Sequence, residues 1–295
     1  MPADTAKVNL LTPELLNRLG RLEVLAPQAV SGILQTGIHR SRTLGAGQEF
    51  EQYRRYVKGD DLRQADWHLF ARSDQLHCRV QAPDTAARLA IVLDASASMG
   101  YCGRTQCSKL RAAAIVAACL AFLAERQGDD LALFVYGEGV MPTSGKNLAF
   151  AELCKRLENL SAQGKADASL AHARAREFIY NKGMAVWLSD FLGEEKTMET
   201  ALRAYQLAGR ACYVCQILDD DELRLPIQGP RRFQDPEDTA CELLTDPEPV
   251  RKDYLARLEE FLESVRLACL RQGVPFACVT PTTDLAPVLA KLLGK

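Results

Sequence analysis

At 295 residues with 47% apolar side chains, the chain is long enough to bury one large core or two smaller ones. Charged residues make up 25% and the formal net charge is −2, which excludes a global electrostatic pull toward nucleic acid or an anionic membrane surface. No apolar stretch approaches the ~20 residues of a membrane span, and the opening residues Met1 to Lys7 lack the apolar core of a signal peptide, so a cytoplasmic protein with no membrane span is expected.

In chain order, Thr12 to Leu25 reads as an amphipathic helix that docks on the main domain. Thr12 suits the N-cap, Pro13 the first helical position, and Leu15, Leu16, Leu19 and Leu22 the apolar face. From Gly37 to Arg79 the composition shifts to Arg, Asp, Gly and aromatics with little periodicity. Such a stretch is held by charge-assisted hydrogen bonds rather than apolar burial, with Arg54, Arg55 and Arg63 facing Asp60, Asp61 and Asp66. It reads either as a contact surface for a partner or as an internal ionic network. Leu76 to Gln81 follows as a strand.

The stretch Leu89-Ala90-Ile91-Val92-Leu93 is continuously apolar and reads as a strand buried on both faces of a parallel sheet. Asp94, Ser96 and Ser98 then alternate with small residues, so three oxygen-bearing side chains leave the strand's carboxyl end together, where open α/β sheets bind ligands. One carboxylate and two hydroxyls suit part of the oxygen shell of Mg2+ or Mn2+. The same five residues also suit a turn that caps the next helix.

Lys109 to Gln127 is apolar around most of its circumference and reads as a buried helix ended by Gly128. Leu131 to Tyr136 is the next strand and Asn147 to Leu160 the next helix. Between them, Gly139 to Asn147 approaches a phosphate-binding loop, but its glycine spacing is one residue too long, Asn147 stands where a magnesium-binding hydroxyl is needed, and Pro142 removes an N–H; nucleotide binding is rejected there. Ser169 to Tyr180 is helical. Met184 to Leu188 is a second apolar strand, and Ser189-Asp190 follows it, so Asp190 occupies the same kind of position as Asp94. Glu195 to Gly209 reads as a helix, Ala211 to Leu218 as a strand, and residues 219–246 as an irregular acidic insertion with a hairpin. Val250 to Gln272, Val274 to Val279 and Leu285 to Leu293 close the pattern as helix, strand and helix. The alternation predicts a doubly wound, mostly parallel α/β sheet over residues 87–295, with residues 1–86 as an N-terminal extension packed on it.

Most of the ten cysteines lie in apolar patterns, where cysteine acts as a small hydrophobe, and Cys212-x-x-Cys215 falls inside a strand rather than at a helix start. Zinc and redox chemistry are therefore not expected. The four histidines are scattered, and no nucleophile elbow or zinc-protease motif is present.

The chain resembles the bacterial domain-of-unknown-function family 58, whose C-terminal half is similar to a von Willebrand factor A domain. The resemblance rests on Gly45-x-Gly47-x-Glu49-Phe50, Arg54-x-Tyr56-x-x-Gly59-Asp60-Asp61-x-Arg63-x-x-Asp66-Trp67, Ala71-Arg72, Asp94-x-Ser96-x-Ser98-Met99 and Ser189-Asp190-Phe191. It implies a non-enzymatic interaction protein that works with a MoxR-type AAA+ ATPase or its client. It also implies a metal-ion-dependent adhesion site in which Asp94, Ser96 and Ser98 are first ligands and Asp190 ligates directly or through water. The family's Gly-Gly-Thr-Asp run aligns with Gly164-Lys165-Ala166-Asp167, so the threonine hydroxyl is missing and Asp167 or water has to compensate. Two other readings compete. A metal-independent adaptor would bind through Arg54, Asp60, Asp61, Arg63, Asp66 and Trp67. A haloacid dehalogenase-type phosphohydrolase would need a second Asp where Ser96 stands.

Overall fold

The computed structural model describes residues 10–23, 50–55, 69–70, 72, 75, 77–81, 87–137, 148–180, 183–237 and 241–292. Contacts divide the chain into two compact units, residues 1–37 with 87–295, and residues 38–86. In the smaller unit, β1 (Phe50–Arg55) pairs antiparallel with β2 (His77–Gln81), Arg54 lying opposite Cys78. The other residues of that unit singled out for partner binding, Asp60, Asp61, Arg63, Asp66 and Trp67, lie outside the described residues.

The larger unit is built on five parallel strands: β3 (Arg88–Asp94), β4 (Asp130–Tyr136), β5 (Met184–Ser189), β6 (Ala211–Ile217) and β9 (Phe276–Val279). Their spatial order is β4-β3-β5-β6-β9. Counted within the sheet this is 2-1-3-4-5, so strand order reverses between β3 and β5, the crevice where such sheets bind ligands. The predicted doubly wound α/β architecture is the observed one.

Side-chain alternation along the strands separates two cores. Leu89, Ile91 and Leu93 face an aliphatic core with α2 (Lys109–Gln127), α3 (Phe150–Glu158) and α8 (Leu285–Leu292). The N-terminal helix α1 (Pro13–Glu23) joins this face through Leu19, and Thr12 caps it by accepting the Leu15 N–H at 3.3 Å. Ala90 and Val92 face an aromatic core with Phe134, Tyr136, Trp187 and Phe191, covered by α4 (Ser169–Phe178), α5 (Glu195–Leu207) and α7 (Pro247–Arg271). Each fully buried Leu or Ile contributes roughly 1.5–3 kcal/mol.

The insertion differs from its reading as irregular chain plus hairpin. The hairpin is there, β7 (Arg231–Gln234) against β8 (Glu242–Thr245), but it is preceded by a short helix, α6 (Asp220–Arg224). Asp219 and Glu222 form a reciprocal capping box at its start, a local signal hidden in an acidic run. Likewise α7 starts three residues before Val250, because Asp246 accepts the Glu248 N–H at 3.1 Å and Pro247 fits the first turn.

Candidate functional site at the carboxyl rim of the sheet

Asp94 ends β3 fully buried. One of its oxygens accepts the Ser96 N–H at 2.8 Å and the other accepts from the Ser189 hydroxyl at 2.7 Å, so the two strands flanking the crevice are joined through this carboxylate. Burial, and then the nearby charge of Asp190, push Asp94 up to about 6, against the lowering pull of Ser96 and Ser189. A short 3-10 turn, Ala97–Gly100, follows, and the Ser96 and Ser98 hydroxyls lie 3.1 Å apart.

The loop carrying Ala166 and Asp167 lies alongside this turn. Gln163 N–H donates to Ala95 O at 2.8 Å, and Ala97 N–H donates to Gly164 O at 2.9 Å. The approach requires glycine at 137, whose φ is +145° and where a Cβ would meet the Ala95 and Gln163 carbonyl oxygens at 2.7 and 2.9 Å. Ala166 brings no hydroxyl and packs against the aromatic core, while Asp167 is exposed and accepts the Ser169 N–H at 3.0 Å at the start of α4.

Asp190 is buried one residue past β5. Its Oδ1 accepts the Leu192 N–H at 3.0 Å, and its Oδ2 accepts from the Lys109 ammonium at 2.8 Å. Lys109 opens α2, is itself fully buried, and also donates to Glu222 at 2.7 Å. Burial pulls the lysine down, but Asp190 and Glu222 more than reverse it and the net shift is upward. Phe191, next to Asp190, has φ +63°, a conformation costing a bulky residue about 1–3 kcal/mol. Its ring is held edge-on against Trp187 at 4.9 Å between centroids.

A second buried network runs inward from Asp94. Trp187 Nε1–H donates to the Tyr136 hydroxyl at 2.8 Å, and Tyr136 donates to Glu194 Oε2 at 3.0 Å. The same oxygen lies 2.9 Å from the Ser189 hydroxyl. Ser189 has one hydrogen, and Asp94 takes it; the contact with Glu194 is then made by a proton on the glutamic acid. Burial, and then the charge of Asp94, push Glu194 up to about 8, so it is protonated at neutral pH.

Only part of the donor set expected for a divalent ion stands together at the rim. Two cis ligands of an octahedral ion with ~2.1 Å bonds stand about 3.0 Å apart, and the Ser96 and Ser98 hydroxyls lie 3.1 Å from each other. The rest does not fit. Asp190 is already neutralised by Lys109, Asp167 faces solvent, and Ala166 cannot ligate. Among the described residues no group of three or more His, Cys, Asp or Glu side chains is arranged to hold a metal ion.

The rim residues to which the sequence reading gave no role at the site are Lys109, Tyr136, Trp187, Ser189, Glu194 and Glu222. Lys109 alone carried a local signal: it is a cation in the first turn of a helix, where the dipole favours acids. The pairing of the others depends on strand order. The buried histidine, His172, bonds to the Tyr205 hydroxyl at 3.0 Å, and burial followed by Arg176 pushes it down to about 3, which removes it as a proton acceptor near neutrality. Burial raises the thiols of Cys119, Cys212, Cys215 and Cys269, leaving them protonated.

Toward solvent, the rim exposes Tyr101 and Leu192. Beside Tyr101 lies an open groove of ≈ 570 Å³ lined by Arg104, Arg231, Arg232 and Phe233 among others. Arg104 is tied back to Asp221 at 2.8 Å, and Gly103 N–H donates to Asp219 at 3.2 Å, so this loop is anchored on α6. No helix among the described residues is long and apolar enough to cross a membrane.

Comparison with known proteins gives a match to the family model for "Protein of unknown function DUF58" over residues 52–261. The uncharacterized proteins Rv1480 of Mycobacterium tuberculosis (strain H37Rv) and Mb1516 of Mycobacterium bovis are each 28% identical over 259 residues, covering 86% of this chain and 80% of the relative. Among solved structures, the conserved hypothetical protein BatB from Bacteroides thetaiotaomicron is similar at 15% identity and a TM-score of 0.48, over 70% of this chain and 97% of the other. An aerotolerance-related membrane protein from Bacteroides fragilis is similar at 16% identity and a TM-score of 0.49, over 70% and 98%.

Proposed function

Since the chain belongs to the family of proteins of unknown function DUF58, we propose that it is a non-enzymatic adaptor that binds protein partners at the carboxyl rim of its sheet, and that the partner is a MoxR-type AAA+ ATPase or its client. The observation that carries the reading is the convergence of Asp94, Ser96, Ser98 and Asp190 at the strand-order reversal between β3 and β5, beneath a solvent face that presents Tyr101 and Leu192. Fixed buried polar groups under exposed apolar ones make a preorganised docking surface. The absence of catalysis is part of the proposal, supported by the chemistry of the described groups. His172 is neutral and enclosed, and Ser96 stands where a phosphohydrolase would need its second Asp.

The test is direct binding of the purified chain to a purified MoxR-type ATPase, by biolayer interferometry in ADP, in ATP and without nucleotide. Binding that drops at least tenfold in Tyr101→Ser supports the rim. No binding in any nucleotide state removes the proposed partner. Binding untouched by Tyr101→Ser but lost in a folded Arg63→Glu variant moves the interface to the Arg/Asp-rich segment.

A further inference from the structure

Lys109 is in an unfavourable place for a cation. The N-terminal turn of α2 carries a partial positive charge, lysine is almost never fully buried unless paired, and this ammonium is enclosed with only 1% of its side chain exposed. Two carboxylates from two other elements close on it, Asp190 Oδ2 at 2.8 Å from the end of β5 and Glu222 Oε1 at 2.7 Å from α6. The Tyr101 ring covers it at 5.9 Å. Glu222 is itself held, its Oε2 accepting the Asp219 N–H at 2.8 Å, while Asp219 accepts the Gly103 N–H. The ammonium therefore lies where the loop after Ser98, the turn after β5 and the cap of α6 meet. Hydrogen bonds from Gly103 and Arg104 to Asp219 and Asp221 tie the first of these loops to the cap as well, and no local sequence preference would put a lysine there.

The hydroxyl pair at Ser96 and Ser98 has the spacing of two ligands on one ion, yet the acid that would complete the shell is committed to Lys109. We infer that Lys109 is a tethered cation that takes the place of a divalent ion at this rim, so that the interaction face assembles without a dissociable metal, and that the Asp94, Ser96 and Ser98 half-site becomes a divalent-cation site only when the ammonium is removed. A tethered charge cannot be lost to chelation or dilution, so recognition at this rim is independent of free magnesium.

The experiment needs no partner, so its failure is separable from failure of the adaptor reading. Thermal unfolding of the full chain is followed in EDTA and in Mn2+, for the wild type, Lys109→Met and Lys109→Met/Asp190→Asn, with Mn2+ paramagnetic resonance as the direct measure of binding. The wild type is expected to unfold at the same temperature in both conditions and to leave the Mn2+ spectrum that of the free ion. Lys109→Met is expected to unfold earlier in EDTA, to recover with rising Mn2+ as a ligand specific to the native state requires, and to lose the response when Asp190 is also changed. A wild-type midpoint that rises with Mn2+ and falls back in Asp94→Asn overturns the inference, as does a folded Lys109→Met that ignores Mn2+. Should Lys109→Met fail to fold in either condition, Lys109→Gln decides in its place, since its amide still donates to one carboxylate.

Discussion

The two buried networks that flank the rim solve one problem in opposite ways. On the α2 side, Asp190 and Glu222 are paired with the Lys109 ammonium, which supplies the opposite charge. On the aromatic side, Glu194 sits among Trp187, Tyr136 and Ser189 with no cation paired to it among the described residues and instead keeps its proton. Asp94 stands between them, bonded to Ser189 and raised by burial and then by the charge of Asp190. A low-dielectric interior tolerates a carboxyl group that is either paired or neutral; the first solution ties distant loops together by charge, while the second makes stability depend on pH.

Removing a partner should break the charged network hardest. Lys109→Met leaves the buried Asp190 and the half-buried Glu222 without the ammonium, and a loss of about 3–5 kcal/mol is expected in urea denaturation. Lys109→Met/Asp190→Asn should recover part of it, since the uncompensated charge is then gone.

The neutral network should lose less from a single deletion. Tyr136→Phe removes the hydroxyl that accepts from Trp187 and donates to Glu194, so about 1–3 kcal/mol is expected for the orphaned indole N–H and acid.

Its pH signature is sharper. Glu194 titrates at about 8 in the native state and near 4.5 unfolded, so between these values the native state holds a proton that the unfolded chain lacks, and stability falls as pH rises, by at most ~1.4 kcal/mol per unit. Glu194→Gln should flatten that slope between pH 4.5 and about 8. His172 has the opposite sign. Its native value of about 3 lies below 6.5, so stability falls as pH drops below 6.5, and His172→Phe should remove this opposing slope below pH 6.5 while leaving the dependence above it unchanged. Denaturant titrations from pH 4.5 to 9 read both.

The smallest effect is reserved for the solvent side. Arg104 pairs with Asp221, but 70% of its side chain is exposed, so Arg104→Ala should cost under about 1 kcal/mol and less in high salt. A cost approaching that of Lys109→Met would mean that the rim depends on its surface loop as much as on its buried cation.

Much of the fold was legible along the chain because its causes are local. Continuous apolar runs at Leu89 and Met184 marked strands covered on both faces, the helix over Lys109 to Gln127 ends at Gly128 in a left-handed cap, and Asp94 was placed at a strand's carboxyl end by the abrupt change from aliphatic to hydroxyl-bearing residues. Where local signals overlapped, the reading slipped. The acidic run at Asp219 concealed a helix cap, and Pro247 concealed the start of α7.

By itself the sequence determined the alternation of strand and helix, the acids and hydroxyls available at the strand ends, and the missing hydroxyl at Ala166, because these follow from residue type and spacing. Only the tertiary structure decided what those acids face. The order β4-β3-β5-β6-β9 brings residues 94 and 189 into hydrogen-bond contact, folds Lys109 inward against Asp190 and Glu222 across 81 and 113 positions of chain, and leaves Glu194 among neutral groups. A charge's partner is set by distance in space, and at a sheet rim that distance depends on which strands are neighbours.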